Sequence, residues 1–291
     1  MDQGVNKPLV LLSLLMILVL GACTLAGSGI KVNPGAPSTA GVSLQPGTPA
    51  SHLPAAKLTI FAAASLTDAF QAIGKEYETA HPGVVVDFSF AGSQILRTQL
   101  EQGATADVIA FADQKNMASL VSDGLVSADA SHDFVTNQMV VILPPGNPGG
   151  LQSLIDIARP GLKLVLADAS VPAGTYARQI LEKMSNDPTF GADFSTRVMA
   201  NIVSNETDVR QVVTKVELGE ADAGIVYTSD LEASPDLLTI PIPRQYNVTA
   251  QYPIAILRSS PNPELAAEFV NYVTSSEGGS ILSQWGFSPV R

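Results

Sequence analysis

The chain has 291 residues, of which 46% are hydrophobic and 15% charged, a composition typical of a folded globular protein. Its length corresponds to about two domains, so a single small module is excluded. It carries 27 acidic residues against 16 basic ones, and the formal charge of -11 argues against nucleic acid as a partner. One cysteine and three histidines exclude a disulfide framework and a Cys/His zinc cluster.

The N-terminal residues have the pattern of an export signal. Residues 8–20 form an apolar run of 13 residues after Lys7, which suits a signal-peptide core better than a membrane-spanning helix. The run ends in Leu20-Gly21-Ala22-Cys23, a tetrapeptide that resembles the bacterial lipobox. The resemblance implies a signal peptide over residues 1–22, cleavage before Cys23, and lipidation of Cys23. A single membrane anchor and a buried structural cysteine are the alternatives.

A low-complexity segment follows the cysteine. Residues 24–56 consist mainly of Gly, Ser, Thr, Pro and Ala, which predicts a flexible tether, so that the anchor and tether together cover residues 23–56. Residues 1–57 contain three lysines and one aspartate, which leaves 13 basic and 26 acidic residues in the rest of the chain. The negative charge therefore belongs to the folded part.

From residue 57 onward, strand patterns alternate with helix patterns. Leu58–Phe61 is a short apolar strand, and apolar residues then recur at helical spacing from Leu66 to Tyr77. Val84–Phe90 alternates as a second strand. The pattern continues with strands at 107–111, 139–143, 162–167, 224–227 and 254–257, and with helices near 95–100, 117–121, 174–184, 209–218, 265–273 and 278–285. This alternation predicts open, mostly parallel α/β sheets with helices on both faces.

Four turns in this scheme come directly before a helix and are rich in small or capping residues. They are Ala63–Leu66, Ala91–Gln94, Val171–Thr175 and Asn205–Val209. In open α/β sheets, ligands bind beyond the carboxyl ends of the strands, where helix N-termini present free N–H groups and favour an anion. The turns therefore predict an anion-binding site.

Each residue singled out in these turns also has a structural interpretation. Ser65 could be a plain helix cap, with Asp68 three residues later completing a capping-box-like pattern, and Ser93 could be a cap as well. Val209 could be a core residue of the apolar stripe that it begins. Tyr227 could be a core aromatic residue whose hydroxyl is satisfied.

Motifs for catalysis are missing from the sequence. It contains no Gly-x-Ser-x-Gly elbow, no phosphate loop and no Gly-x-Gly-x-x-Gly pattern. A serine hydrolase would need a histidine, but His52 lies in the tether, His81 in a helix-ending turn, and His132 in a predicted polar loop. The sequence therefore predicts a protein that is not an enzyme.

Taken in order, six segments resemble the periplasmic molybdate-binding proteins of ABC transporters. The resemblance runs from about residue 57 to residue 287. Its segments are Phe61–Thr67, Phe90–Ser93, Ala106–Lys115, Val171–Ala177, Asp208–Arg210 and Gly224–Asp230.

The resemblance implies a two-lobed α/β fold of the type II periplasmic binding proteins. Its ligand cleft would lie between lobes joined by two crossover strands. Lobe 1 would comprise residues 57–138 and 254–291, and lobe 2 would comprise residues 139–253.

The resemblance also implies the residues that hold the ligand. Ser65 and Ser93 would supply hydroxyl and backbone donors from the first lobe. Ala173 and Val209 would supply backbone N–H groups, and Tyr227 its hydroxyl, from the second. These five residues would bind the molybdate or tungstate oxyanion through hydrogen bonds only, so that no protein atom would coordinate the metal. No cofactor is implied.

The function implied is extracytoplasmic binding of molybdate and tungstate and delivery to an ABC transporter permease with its ATPase for import. The protein would be a monomeric lipoprotein, anchored on the outer face of the cell membrane or in the periplasm. Three alternatives stay open: a binding protein for another small solute such as sulfate or an iron complex, a surface lipoprotein without a transport role, and an anchored hydrolase.

Overall fold

The computed structural model describes residues 56–290. The predicted signal peptide, the predicted lipidation site at Cys23 and the predicted tether up to residue 55 lie outside the described residues. Within residues 56–290, no helix combines the length and the apolar character needed to cross a membrane.

Strands and helices alternate along the described residues. The strands are β1 Ala56–Ala63, β2 Val84–Ala91, β3 Val108–Ala110, β4 His132–Asn137, β5 Met139–Leu143, β6 Leu164–Ala167, β7 Ile202–Glu206, β8 Ala223–Tyr227, β9 Leu238–Pro241, β10 Ala250–Ile256 and β11 Ser288–Pro289. The α-helices are α1 Thr67–Ala80, α2 Ser93–Glu101, α3 Gln114–Ser122, α4 Pro172–Ser185, α5 Phe194–Ala200, α6 Val209–Glu217, α7 Pro263–Thr274 and α8 Ser276–Gln284.

Two sheets divide the strands between two lobes. The first sheet has the order β11-β4-β10-β3-β1-β2 and defines lobe 1, and the second has the order β7-β6-β8-β5-β9 and defines lobe 2. The predicted two-lobed α/β fold is confirmed. In each lobe, three strands run parallel: β1 with β2 and β3, and β6 with β7 and β8.

The prediction of mostly parallel sheets is wrong, because both sheets are mixed. Strand β10 lies antiparallel between β3 and β4, and β5 lies antiparallel between β8 and β9. These inserted strands belong to the segments that pass between the lobes. A strand that enters a sheet from the other lobe runs against the strands of the local βα units, which explains the reversal.

The two passages between the lobes lie side by side. Strand β4 ends at Asn137 and β5 begins at Met139, whereas β9 ends at Pro241 and β10 begins at Ala250. The Asn247 side chain joins the passages, because its Oδ1 accepts the Met139 N–H at 3.0 Å and its Nδ2 donates to the Met139 carbonyl at 2.8 Å. The lobe boundaries given above, at 138/139 and 253/254, stay a prediction.

The helices form where the apolar spacing predicts them. In α1, Phe70, Ile73 and Tyr77 are fully buried on one face, and in α6 a stripe of valines is buried. Five elements with little periodicity were not predicted, namely α5, β4, β7, β9 and β11. The placement of His132 in a polar loop is wrong, because His132 begins β4, whose residues alternate only weakly between buried and exposed positions.

Candidate functional site

The carboxyl ends of the parallel strands of both sheets face a cavity between the lobes. After β1 the chain makes a 3₁₀ turn at Ala64–Leu66 that leads into α1, and α2, α4 and α6 also begin at the cavity. The cavity is lined by Ala63, Ala64, Ser65, Gly92, Ser93, Ala112, Val171, Pro172, Ala173, Asp208, Val209 and Tyr227. Four helix N-termini therefore point at one small space.

The structure brings all five residues of the predicted ligand set to this cavity. Ser65, Ser93, Ala173, Val209 and Tyr227 line it together, and each is no more than 4% exposed. They come from four separate turns and one strand end. Their role in binding a ligand stays a prediction.

The alternative of plain helix caps is wrong for both serines. The first residues of α1 and α2 receive no side-chain cap, since Leu66 and Gly92 occupy the two N-cap positions. Ser65 Oγ lies 2.9 Å from the Tyr252 hydroxyl, and Ser93 Oγ accepts the Ala112 N–H at 3.0 Å.

These contacts orient the serine hydroxyls. Either hydroxyl of this pair can donate, and because a phenol is a better donor than an aliphatic hydroxyl, donation from Tyr252 to Ser65 Oγ is the favoured arrangement. Burial raises the pKa of the Tyr252 hydroxyl, which keeps its proton in place. Each serine oxygen thus accepts a hydrogen bond from the protein behind it, and its own hydrogen is available to the cavity.

Tyr227 is a buried tyrosine that also lines the cavity. Its ring packs edge-on against Tyr176 and Tyr252, but its hydroxyl is buried without a hydrogen-bond partner in the described part of the chain. Burial raises the pKa of this hydroxyl well above its ordinary value, so it stays protonated. A buried unpaired hydroxyl costs about 1–3 kcal/mol, which a ligand in the cavity would recover. The alternative of a satisfied hydroxyl is therefore wrong.

Ala173 and Val209 present backbone N–H groups. Both lie in the first turn of a helix, where a backbone N–H has no carbonyl partner within its own helix. The side chain of Asp208 caps α6, but it accepts from the Gln211 N–H at 3.1 Å rather than from Val209. Val209 also packs in the core, so its interpretation as a core residue is confirmed, and its role in binding a ligand stays a prediction.

The lining of the cavity contains no lysine or arginine. The helix N-termini contribute partial positive charge, and the serine and tyrosine hydroxyls add donors. Asp208 is the one carboxylate in the lining, and its second oxygen accepts from Gln211 Nε2 at 2.7 Å. Residues 56–290 contain no group of three or more His, Cys, Asp or Glu arranged to hold a metal ion. The arrangement suits a small anion held by neutral donors.

The size of the cavity limits the ligand. The space open to the centre of a water-sized sphere is about 10 Å³, roughly what one water molecule needs. Sugars, amino acids and peptides are too large for this closed arrangement. Only a ligand of a few atoms suits this site, and a tetrahedral oxyanion with five heavy atoms requires the walls to move apart slightly.

Contacts between the lobes surround the cavity. Gln94 Nε2 donates to the Thr207 carbonyl at 2.9 Å, and the Tyr176 hydroxyl donates to the Ala112 carbonyl at 3.2 Å. Arg210 of lobe 2 forms a salt bridge with Asp68 of lobe 1. The lobes are therefore closed in this structure.

Sequence reasoning missed two groups at the site. Tyr252 lies 187 positions from the serine that it contacts, and it precedes the strand predicted at 254–257. Ala112 supplies the N–H that holds Ser93, and only its place after a predicted strand could have pointed to it. Neither role has a local signal in the sequence.

Comparison with known proteins gives a consistent result. Residues 58–288 match the sequence model of a protein family, which is described as bacterial extracellular solute-binding protein. The molybdate-binding protein ModA of Mycobacterium tuberculosis is 41% identical over 235 residues, which cover 80% of this chain and 85% of that protein. ModA of Haemophilus influenzae is 32% identical over 247 residues, which cover 82% of this chain and 92% of that protein.

A solved structure agrees at the level of the fold. The periplasmic molybdate-binding protein of Azotobacter vinelandii superposes with a TM-score of 0.70 at 17% identity, covering 80% of this chain and all of that one.

Proposed function

Because the chain belongs to the family of bacterial extracellular solute-binding proteins, we propose that it binds molybdate, and tungstate equally, and delivers the anion to an ABC transporter permease. The observation that carries the proposal is the small closed cavity, which is surrounded by neutral hydrogen-bond donors from both lobes. The relatives named as molybdate-binding proteins support this choice of anion.

The donor set favours a fully deprotonated dianion. Backbone N–H groups only donate, and the raised pKa of the Tyr227 hydroxyl keeps it a donor. Molybdate and tungstate carry no proton near neutral pH, so each of their oxygens can accept. Phosphate retains a proton that would need an acceptor, and none of the five proposed ligand residues is an Asp or Glu. The Asp208 carboxylate in the lining already accepts two hydrogen bonds from Gln211. Phosphate is therefore disfavoured by its unpaired proton.

Sulfate is disfavoured by size. It is also a tetrahedral dianion without a proton, but its bonds are shorter than those of molybdate. A cage set for the larger ion leaves sulfate with stretched hydrogen bonds. Tungstate has nearly the same size as molybdate, so the two should bind alike.

The proposed activity is binding without chemical conversion. The lining combines serines with alanine, glycine, valine and proline, and it includes no histidine or lysine that could activate a serine as a nucleophile. Ser65 and Ser93 are positioned by Tyr252 and Ala112 rather than by a general base.

Native mass spectrometry tests the proposal directly. Protein purified from cells grown with molybdate should carry an added mass equal to one molybdate, which is lost on denaturation. Protein that carries sulfate or an iron complex instead, and that takes up no molybdate when the anion is added, would contradict the proposal.

Tyr252→Phe tests the positioning of Ser65. The variant removes the phenol that donates to Ser65 Oγ, so we expect affinity for molybdate to fall about 2- to 10-fold, the value of one ordinary hydrogen bond. Isothermal titration calorimetry measures the change. Tyr77→Phe is a matched control, because Tyr77 is also fully buried, lies in the core of lobe 1 and has a hydroxyl without a partner.

The control variant Tyr77→Phe should bind molybdate with the affinity of the wild type. The double variant Ser65→Ala with Tyr252→Phe should bind no more weakly than Ser65→Ala alone, because the phenol acts through the serine. Additive losses would show that Tyr252 affects the site by another route.

The lipobox-like tetrapeptide supports a lipid anchor at Cys23, with the segment up to residue 56 as a tether that lets the binding domain reach the permease. Lipid chains contribute about 0.8 kcal/mol per buried CH₂, so more than one chain holds a protein on a membrane. Cys23→Ala should release the protein or leave it unprocessed, as measured by membrane fractionation and the mass of the mature chain. Ser28→Ala in the tether is the control, and normal fractionation of Cys23→Ala would refute the anchor.

A further inference from the structure

One arginine crosses the cleft beside the cavity. Arg210 follows Val209 at the start of α6, and its guanidinium forms a salt bridge with Asp68 in the first turn of α1. Its Nε also lies 3.4 Å from the carbonyl oxygen of Ala64. Asp68 and Ala64 belong to lobe 1, so a single side chain of lobe 2 holds two groups of the opposite lobe.

The Arg210 guanidinium also contacts a carboxylate of its own lobe, lobe 2. Arg210 Nε lies 3.6 Å from Asp230 Oδ1, and Asp230 Oδ2 accepts the backbone N–H of Tyr227 at 3.0 Å. The Asp230 side chain is 1% exposed, whereas those of Arg210 and Asp68 are 25% and 28% exposed. Burial raises the pKa of Asp230 to about 6, so this carboxylate is mainly ionised at neutral pH and pairs with the arginine.

Arg210 therefore pairs with two carboxylates, one from each lobe. Its guanidinium faces Asp68 and Asp230, and Arg210 is not among the residues that line the cavity. The planar fork of arginine can address several acceptors in fixed directions. The side chain is thus placed to join protein groups rather than to bind the anion.

The two residues joined across the cleft, Ala64 and Arg210, are each adjacent in sequence to a proposed donor. Ala64 precedes Ser65, and Arg210 follows Val209, so the contact fixes the Ser65 side of the cavity relative to the Val209 side. We propose that Arg210 is a positioning residue that clamps the two lobes around the bound anion and sets the separation of these donors. This inference rests on the proposed function.

The clamp would act after the anion has entered. The anion reaches the cavity in the open state, where Arg210 and Asp68 are apart, and the closed state gains both the contacts to the anion and the clamp. Loss of the clamp should therefore raise the dissociation rate and leave the association rate nearly unchanged. A cage with less fixed donor spacing should also discriminate less between molybdate and sulfate.

Arg210→Met and Arg210→Lys test the clamp in the full protein. Stopped-flow displacement should give a molybdate dissociation rate about 10-fold higher in Arg210→Met, a value at the low end for a charged contact because the pair is partly exposed. The association rate should change less than about 3-fold, and Arg210→Lys should recover part of the loss. Competition titration should show a smaller ratio of molybdate to sulfate affinity in Arg210→Met.

Arg197→Met is the matched control, because Arg197 pairs with Asp193 within lobe 2 and should leave both rates unchanged. If Arg210→Met folds poorly, Asp68→Asn removes the lobe 1 partner instead and should raise the dissociation rate as well. Wild-type dissociation rates and selectivity in folded Arg210 and Asp68 variants would overturn the clamp. Absence of molybdate binding by the wild-type protein would overturn the proposed function instead.

Discussion

Replacing Ser65 by alanine is expected to weaken molybdate binding by about 10- to 150-fold, the range for loss of one hydrogen bond to a charged group. Ser65 is 4% exposed, and with its oxygen held by the Tyr252 hydroxyl its hydrogen is free to face the cavity. Alanine removes this donor and leaves the shape of the turn unchanged. Calorimetric titration with molybdate measures the loss.

The stability of the Ser65→Ala variant separates this account from the helix-cap alternative. Because Ser65 caps no helix in the structure, the free energy of unfolding should fall by no more than about 1 kcal/mol, the value of its bond to Tyr252. Ser234→Ala is the control, since Ser234 is also buried but lies outside the cavity lining. Unchanged affinity with lowered stability in Ser65→Ala would restore the role of a cap.

Gly174→Ala is expected to lower the free energy of unfolding by about 3 kcal/mol and to weaken molybdate binding together with it. Gly174 lies in the first turn of α4, where an added Cβ would collide with the carbonyl oxygens of Ala167 and Asp168. Both obstacles are backbone atoms, so the start of α4 has to move away from the end of β6. The Ala173 N–H moves with it and leaves its position in the cavity.

Gly279→Ala provides the control for this substitution. Gly279 is also in a helix, but an added Cβ would meet no atom within 4 Å. Alanine there should raise stability by up to about 1 kcal/mol, because glycine is the poorer helix former. Denaturant unfolding and titration with molybdate of both variants check the expectation. Equal free energies of unfolding and equal affinities in the two variants would show that the close packing at Gly174 is unimportant.

Much of the fold is predictable because its signals are local. The buried stripe of α6 and the alternation of β2 follow directly from residue spacing, and the ends of these elements fall within a few residues of the prediction. Strand direction is different, since it depends on which neighbours a strand acquires. The mixed sheets follow from β5 and β10 crossing between lobes, and spacing alone does not encode that path.

Within the candidate site, too, some residues have a local signal in the sequence and others do not. Ser65, Ser93, Ala173 and Val209 could be proposed because each belongs to a short segment that the sequence predicts as a turn leading into a helix. The resemblance to a known family selected among these turns. The groups that position them come from distant parts of the chain. Tyr252 reaches Ser65 across 187 positions, and Arg210 reaches Ala64 across 146. The first pair forms when lobe 1 folds, and the second forms only when the two lobes close.

Competition titration with molybdate, tungstate, sulfate and phosphate at one pH and one salt concentration tests the central claim, that a cage of neutral donors selects a large, fully deprotonated tetrahedral dianion. The account predicts equal binding of molybdate and tungstate, much weaker binding of sulfate, and the weakest binding of phosphate. Displacement of molybdate by sulfate or phosphate at comparable concentration would contradict both the donor-only site and the proposed function.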